Sequence, residues 1–173
     1  MHKQTLAKYS SVPVINALTD TFHPLQALAD LQTICEAFAP SSSSPSSSIS
    51  IIKSLAVPQL KVAWVGDANN ILNSLLVSLP RLGIRMGVAT PIGYDPPKHV
   101  LDFAYSNAIN AGNITFSRSP FDAVQGADVI ITDTWVSMGM EADKAKRLKD
   151  FEGFKVGAVF YKEKKEGKAH THY

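Results

Sequence analysis

The sequence has little of several features that would mark particular classes of protein. Cys35 is the single cysteine among 173 residues, so an intrachain disulfide is excluded and a reducing or matrix-like compartment is favoured. A net charge of +2, with no long basic stripe before the C-terminal region, does not indicate nucleic-acid binding. No apolar run approaches the roughly 20 residues needed to cross a bilayer, and no apolar core follows Lys3, so neither a membrane segment nor a secretory signal is predicted.

The sequence also lacks the glycines of a dinucleotide site. The hexapeptide GDANNI, which begins at Gly66, has no second and third glycine to let the backbone approach a pyrophosphate. Dinucleotide binding is therefore not predicted. Cys35 lies beside Ile34 in a helical pattern, and we interpret it as a small buried apolar side chain rather than a nucleophile.

The most informative stretch runs from Lys61 to Leu79. Its first five residues, KVAWV, are mostly apolar and are followed by Gly66, which predicts a short buried strand and then a turn. Asn69 or Asn70 can then cap a helix whose apolar residues fall on one face. In open α/β sheets, ligands bind beyond the carboxyl ends of the strands, where these polar residues are presented. The alternative is that they serve only as turn and cap residues.

The remaining pattern alternates strands with helices. Pro24 opens a helix predicted to reach about Ala39, and the serine-rich segment from Ser41 to Ser50 is interpreted as a flexible insert. The other predicted elements are strands at 12–15, 84–89, 114–116 and 128–132, and helices at 97–112, 121–124 and 141–151. Such alternation predicts parallel pairing, so the fold class is α/β, with a Rossmann-like three-layer domain over residues 55–156.

Two predicted loops, Gly66 to Asn70 and Asp133 to Gly139, follow strands and open on one edge of the sheet. They offer a carboxylate, amides, a hydroxyl and backbone N–H groups, which together suit a zwitterion. The start of the helix after His23 is a second candidate site, because unpaired N–H groups there favour an anion or a developing negative charge, and His23 and Gln26 add donors. The alternative is an ordinary helix cap with an exposed histidine.

Three ordered motifs then resemble one family. The segments SVPVINALTDTFHPLQALADLQTI, VAWVGDANNILNSLL and DTWVSMG are similar to the HPxQ motif, the ornithine-loop entry and the DxWxSMG signature of ornithine carbamoyltransferases. Aspartate carbamoyltransferases share the HPxQ motif but not the SMG loop, so the resemblance favours ornithine. It implies that carbamoyl phosphate and L-ornithine give L-citrulline and phosphate in arginine biosynthesis, without a metal or organic cofactor.

The resemblance also implies residue roles. His23 and Gln26 would bind the carbamoyl group, with His23 polarising its carbonyl oxygen. Asn70 and the backbone at Met138 would hold the α-carboxylate of ornithine. Asp133 and Ser137 would hold its α-ammonium group, and Asp133 is counted with His23 as catalytic.

The family further implies a homotrimer and, in eukaryotes, the mitochondrial matrix, with the cytoplasm as the alternative.

The resemblance also divides the chain into four parts. Residues 1–40 would be the last strand and linker helix of a carbamoyl-phosphate domain, 41–54 the insert, 55–156 the ornithine domain and 157–173 a divergent charged tail. The family's Ser-Thr-Arg-Thr and His-Cys-Leu-Pro motifs are not found in the sequence, and Asn73 replaces a more usual histidine. We therefore expect little transferase activity from this chain alone. The alternative is a non-catalytic relative that binds an amino acid or assembles with a complete subunit.

Overall fold

The protein was analysed as a computed structural model that describes residues 3–38, 60–136 and 141–157. Among them, four short strands form one parallel sheet: β1 (Lys61–Val65), β2 (Arg85–Ala89), β3 (Ile114–Ser117) and β4 (Val129–Ile131). The spatial order is β3-β2-β1-β4. Parallel pairing and the α/β class are confirmed, and the four strands lie within a residue of their predicted bounds.

Helices connect the strands and cover both faces of the sheet. The α-helices are α1 (Lys3–Tyr9), α2 (Pro24–Phe38), α3 (Asn70–Ser78), α4 (Lys98–Asn107), α5 (Pro120–Val124) and α6 (Lys144–Asp150). Shorter 3-10 turns occupy Leu79–Leu82, Ala111–Asn113 and Glu141–Asp143. The side chain of Asn69 caps α3 by accepting from two backbone N–H groups, which confirms the predicted start. Pro80 ends α3, as expected, because it lacks the N–H that would continue the helix.

The strand order places a topological switch point between β1 and β4. From β1 the chain moves through β2 to β3 on one side and then returns to β4 on the other side of β1. The connections therefore diverge around the carboxyl ends of β1 and β4 and leave a crevice there, which is where ligands bind in open α/β sheets.

The two faces of the sheet carry different side chains. Trp64, Val62, Met86 and Val88 are buried against the layer of α2, α3 and α4. On the other face α5 lies so close that a Cβ on Gly87 would come within 2.5 Å of the Ala123 carbonyl oxygen. A side chain there would push the helix away, so glycine permits this close packing.

The segment before α2 corrects one prediction. Val12–Ile15 does not form a strand, and Val12 and Ile15 are 67% and 77% exposed. A lone strand leaves its backbone groups without partners, and no neighbouring strand in the described residues can supply them. The predicted strand at 12–15 is therefore wrong, whereas a helix is present at the predicted place as α2.

Two other helices differ from the sequence expectation. The helix predicted to reach Gly112 ends at Asn107, because the Ile109 N–H donates to the Pro80 carbonyl at 3.1 Å instead of to its own helix. The helix α1 was not predicted.

The serine-rich insert at 41–54 and residues 158–173 of the charged tail lie outside the described residues. None of the helices in the described ranges is long and apolar enough to cross a membrane.

Candidate functional site at the carboxyl edge of the sheet

A side-chain hydrogen bond spans the switch point. Asn69 Nδ2 donates to Asp133 Oδ2 at 2.7 Å and so joins the loop after β1 to the loop after β4. Asp133 Oδ1 also accepts from the Thr134 N–H at 2.7 Å. Each carboxylate oxygen has two acceptor positions, so Asp133 can still accept from an ammonium group.

The start of α2 is docked onto α3. The His23 N–H donates to Ser74 Oγ at 2.8 Å and lies 3.3 Å from the Asn70 carbonyl oxygen. Ser74 Oγ in turn donates to the Asn70 carbonyl at 2.9 Å. These contacts bring His23 to the helix that begins directly after the Asn69–Asp133 bond, so the two predicted polar regions meet.

The imidazole of His23 caps its own helix. Its Nδ1 accepts from the Gln26 N–H at 3.4 Å, and its carbonyl accepts from the Ala27 N–H. The sequence-based expectation of unpaired N–H groups at this helix start is therefore corrected in part: Pro24 has no N–H, and those of Gln26 and Ala27 are engaged by His23. Because Nδ1 is an acceptor, the proton of neutral His23 is on Nε2, which is then a hydrogen-bond donor.

The two predicted amide ligands are already engaged with the protein. Asn70 Nδ2 donates to the Thr19 carbonyl at 2.7 Å, which ties the segment before α2 to α3. One hydrogen of that amide nitrogen remains for a ligand. Gln26 Nε2 donates to Asp30 Oδ1 at 2.8 Å, one turn further along α2. Sequence reasoning named Gln26 but missed Asp30, although the spacing of four residues was a usable signal.

Burial raises the pKa of Asp30 above its usual range, the hydrogen bond from Gln26 and a positive charge on His23 lower it, and the Asp133 charge raises it. Ser137 and Met138 lie outside the described residues.

Arg147 on α6 is a second component that the sequence did not reveal. Its Nη2 forms an ion pair with Asp67, and its Nε donates to the Trp135 carbonyl. The guanidinium carbon lies 5.0 Å from the ring centroid of Tyr94. One side chain thus links the loops after β1, β2 and β4. No local pattern could have shown this, because Asp67 and Arg147 are 80 residues apart.

Asp67 illustrates the cost of this arrangement. Burial raises the pKa of its carboxyl, and the charge and hydrogen bond of Arg147 lower it. The net direction is upward, so burial outweighs the ion pair. The Arg147 contact therefore offsets only part of the cost of burying the Asp67 carboxyl.

Two cavities flank this edge. A cleft of about 710 Å³ lies over the loops after β2 and β3, but none of the predicted site residues lines it. A smaller cavity of about 380 Å³ is lined by Gln26, Asp30 and one side of β4. In the described parts of the chain, no group of three or more His, Cys, Asp or Glu side chains is arranged to hold a metal.

The fold and the site define a class of protein: a Rossmann-like α/β domain that presents a carboxylate, amides and a histidine at the switch point of a parallel sheet. The sequence profile of the aspartate/ornithine carbamoyltransferase Asp/Orn-binding domain matches residues 58–169, and that of the carbamoyl-P-binding domain matches residues 1–36. The chain belongs to the aspartate/ornithine carbamoyltransferase family.

Individual relatives agree with this assignment. The mitochondrial ornithine carbamoyltransferase of Emericella nidulans is 48% identical over 91% of this chain and 43% of the relative. The ornithine carbamoyltransferase of Caldicellulosiruptor saccharolyticus is 45% identical over 98% of this chain and 50% of the relative. The chain therefore spans half or less of the length of these relatives.

Solved structures show the same likeness. The mitochondrial ornithine carbamoyltransferase of Coccidioides immitis superposes with a TM-score of 0.75 and 45% identity, covering 96% of this chain and 47% of that structure. The ornithine carbamoyltransferase of Pyrococcus furiosus superposes with a TM-score of 0.76 and 41% identity, covering 92% of this chain and 46% of that structure.

Proposed function

We propose that this chain carries the ornithine-binding part of an ornithine carbamoyltransferase, which transfers the carbamoyl group of carbamoyl phosphate to L-ornithine. The observation that carries the proposal is the Asn69–Asp133 bond across the switch point, together with the docking of His23 beside it. These contacts gather a carboxylate for an ammonium group and a donor for a carbonyl oxygen in one region.

The chemistry follows from these groups. Asp133 and, by family resemblance, Ser137 hold the α-ammonium of ornithine, while Asn70 and the Met138 backbone hold its α-carboxylate. The neutral side-chain amine attacks the carbamoyl carbon, so a C–N bond forms and the C–O bond to phosphate breaks. The amine proton leaves with phosphate. His23 Nε2–H stabilises the charge that develops on the carbonyl oxygen.

Positioning supplies much of the rate in such a reaction, because the protein brings two substrates together in an aligned geometry. The Ser-Thr-Arg-Thr phosphate motif of the family is not found in the 173 residues. We therefore propose that residues 1–173 by themselves bind ornithine but turn over slowly without the phosphate-binding residues. Robust citrulline production by the purified chain would contradict this.

Ornithine binding is tested by calorimetric titration of the purified chain. We expect saturable binding of L-ornithine that is lost in Asp133→Asn, because the amide lacks the negative charge that pairs with the ammonium. Asp122→Asn is the matched control, since Asp122 is an exposed acid that contacts Ser117. Equal ornithine affinity of the wild type and Asp133→Asn would refute the assignment.

Assembly with a complete carbamoyltransferase subunit is the second candidate function. It is supported by exposed apolar side chains before α2, where Tyr9, Val12 and Ile15 are 76%, 67% and 77% exposed. Such residues favour burial against another chain. Co-purification with a full-length relative, in the trimer that the family implies, would support assembly.

The compartment follows the source of the chain. The fungal relatives are named as mitochondrial proteins, which supports the mitochondrial matrix if the source is eukaryotic; the cytoplasm is the alternative.

A further inference from the structure

Two glutamine–carboxylate pairs on α2 have the same spacing but different surroundings. Gln32 Nε2 donates to Glu36 Oε1 at 2.8 Å on the exposed side of the helix. Gln26 Nε2 donates to Asp30 Oδ1 at the same distance, but both residues are partly buried and line the cavity beside β4. The exposed pair is an ordinary helix contact. The partly buried pair lies beside the candidate site.

Asp30 is held in an unfavourable environment. Its Oδ2 atom is buried and has no hydrogen-bond partner among the described residues. Burial raises the pKa of the carboxyl and the Asp133 charge raises it further, whereas the hydrogen bond from Gln26 and, when the imidazole is protonated, the charge of His23 lower it. Such a costly arrangement beside site residues is typical of a functional position.

An ionised carboxylate can only accept hydrogen bonds, so it decides which end of the Gln26 carboxamide faces it. The nitrogen end is engaged by Asp30, which leaves Gln26 Oε1 as an acceptor without a partner among the described residues. The neighbouring His23 has the opposite character, because its Nδ1 accepts from the Gln26 N–H and its Nε2 is the donor. One donor and one acceptor match the two ends of a carbamoyl group, which are a carbonyl oxygen and an N–H.

We propose that Asp30 is a positioning residue that fixes Gln26 as an acceptor, so that the site selects a carbamoyl group over an acyl group without an N–H. The proposal rests on the proposed function and deepens it. Acetyl phosphate has nearly the shape of carbamoyl phosphate but carries a methyl group in place of the amide. The methyl group cannot donate to Gln26 Oε1, so that oxygen would be left unpaired.

The first measurement needs no ligand. In ¹⁵N-edited NMR spectra of the full chain, we expect the Gln26 side-chain amide signals to move in Asp30→Ala and to stay close to the wild type in Asp30→Asn, whose Oδ1 still accepts. Glu36→Ala is the matched control and should not move them. Unchanged Gln26 signals in Asp30→Ala would overturn the proposal.

The second measurement compares carbamoyl phosphate and acetyl phosphate as titrants. We expect the wild type to prefer carbamoyl phosphate and Asp30→Ala to lose about tenfold of that preference, the factor that corresponds to one hydrogen bond of about 1.4 kcal/mol. Glu36→Ala should retain it, and Asp30→Asn should retain more of it than Asp30→Ala, because its Oδ1 can still accept although its amide no longer excludes the reversed pairing. This ranking separates positioning from a general loss of structure.

The outcomes separate the two proposals. A wild type that binds both phosphates equally overturns the specificity role of Asp30. A preference retained in Asp30→Ala does the same. If neither phosphate binds, because the 173 residues do not contain the Ser-Thr-Arg-Thr motif, the NMR comparison of Asp30→Ala with the wild type decides the positioning role. Failure of L-ornithine to bind counts against the proposed function instead, because ornithine recognition rests on Asp133 and not on Gln26.

Discussion

Arg147→Ala is expected to destabilise the loops at the carboxyl edge strongly. The side chains of Arg147 and Asp67 are 12% and 15% exposed, so the substitution leaves a largely buried carboxylate without its cation. Breaking a buried pair in this way costs about 3–5 kcal/mol, and the residual exposure favours the lower end, about 3 kcal/mol. For a chain of this size that lowers the melting temperature by about 6–12 °C.

Graded variants separate the contributions of Arg147. Arg147→Lys keeps the charge but loses the planar fork that reaches Asp67 and the Trp135 carbonyl together, so we expect an intermediate loss. Asp67→Asn keeps an acceptor for Arg147 but leaves that largely buried cation without its anion, so we expect a loss smaller than that of Arg147→Ala and of similar size to that of Arg147→Lys.

The assay is thermal unfolding followed by circular dichroism, with tryptophan fluorescence as a second signal that includes Trp135. Lys98→Ala is the matched control, because the Lys98–Asp102 pair has side chains 86% and 60% exposed. An exposed pair of this spacing contributes only about 0.3–0.5 kcal/mol. If Arg147→Ala melted within a degree of Lys98→Ala, the reasoning about the buried pair would be refuted.

Three further predictions concern packing, pH and the helix cap. Gly87→Ala should lower the free energy of unfolding by about 1–3 kcal/mol, because its Cβ would overlap the α5 backbone. Gly157→Ala is the control: a Cβ at Gly157 meets no described atom within 4 Å, so urea unfolding should give nearly the wild-type value. The pKa of Asp30 is raised in the folded chain, so the folded chain binds a proton at this carboxyl more readily than the unfolded chain does. The free energy of unfolding of the wild type should therefore fall relative to that of Asp30→Asn as the pH rises from about 4 to 7. A difference between the two that does not change with pH would contradict this. Asn69→Ala and Ser119→Ala each remove a helix cap worth about 1 kcal/mol of stability. Only Asn69→Ala should also weaken the binding of L-ornithine. Equal ornithine affinities of the two variants would refute a role of Asn69 at the site.

Much of the fold was predictable because its signals are local. The apolar run at Lys61–Val65, the cap at Asn69 and the stop at Pro80 each act within a few residues, and each prediction is confirmed. Cys35 is 4% exposed, as expected for a small apolar side chain.

Local signals failed where a distant partner decided the outcome. Val12–Ile15 has the composition of a strand, but a strand also needs a neighbour, and none is present in the described residues. The helix starting at Lys98 ends at Asn107 because of a contact with Pro80, which its own sequence does not contain.

The candidate site shows the same division. His23, Gln26, Asn70 and Asp133 were named from motifs, and the structure places them around one edge of the sheet. Their hydrogen-bond partners were not predictable: Thr19 engages Asn70, Asp30 engages Gln26, and Asn69 rather than Asn70 contacts Asp133. Which of two adjacent asparagines faces a carboxylate depends on the direction of the helix relative to the next loop.

Local patterns were enough to predict the four strands of the described sheet, the caps and breaks beside them, and the chemical types of residue at the loops. Three features depend on contacts between distant parts of the folded chain: β4 lies beside β1, Arg147 links three loops, and Asp30 and Gln26 line a cavity with β4. The physical reason is range. Helix propensity and turn chemistry act over a few neighbouring residues, whereas burial and ion pairing act between groups that meet only after the sheet has formed.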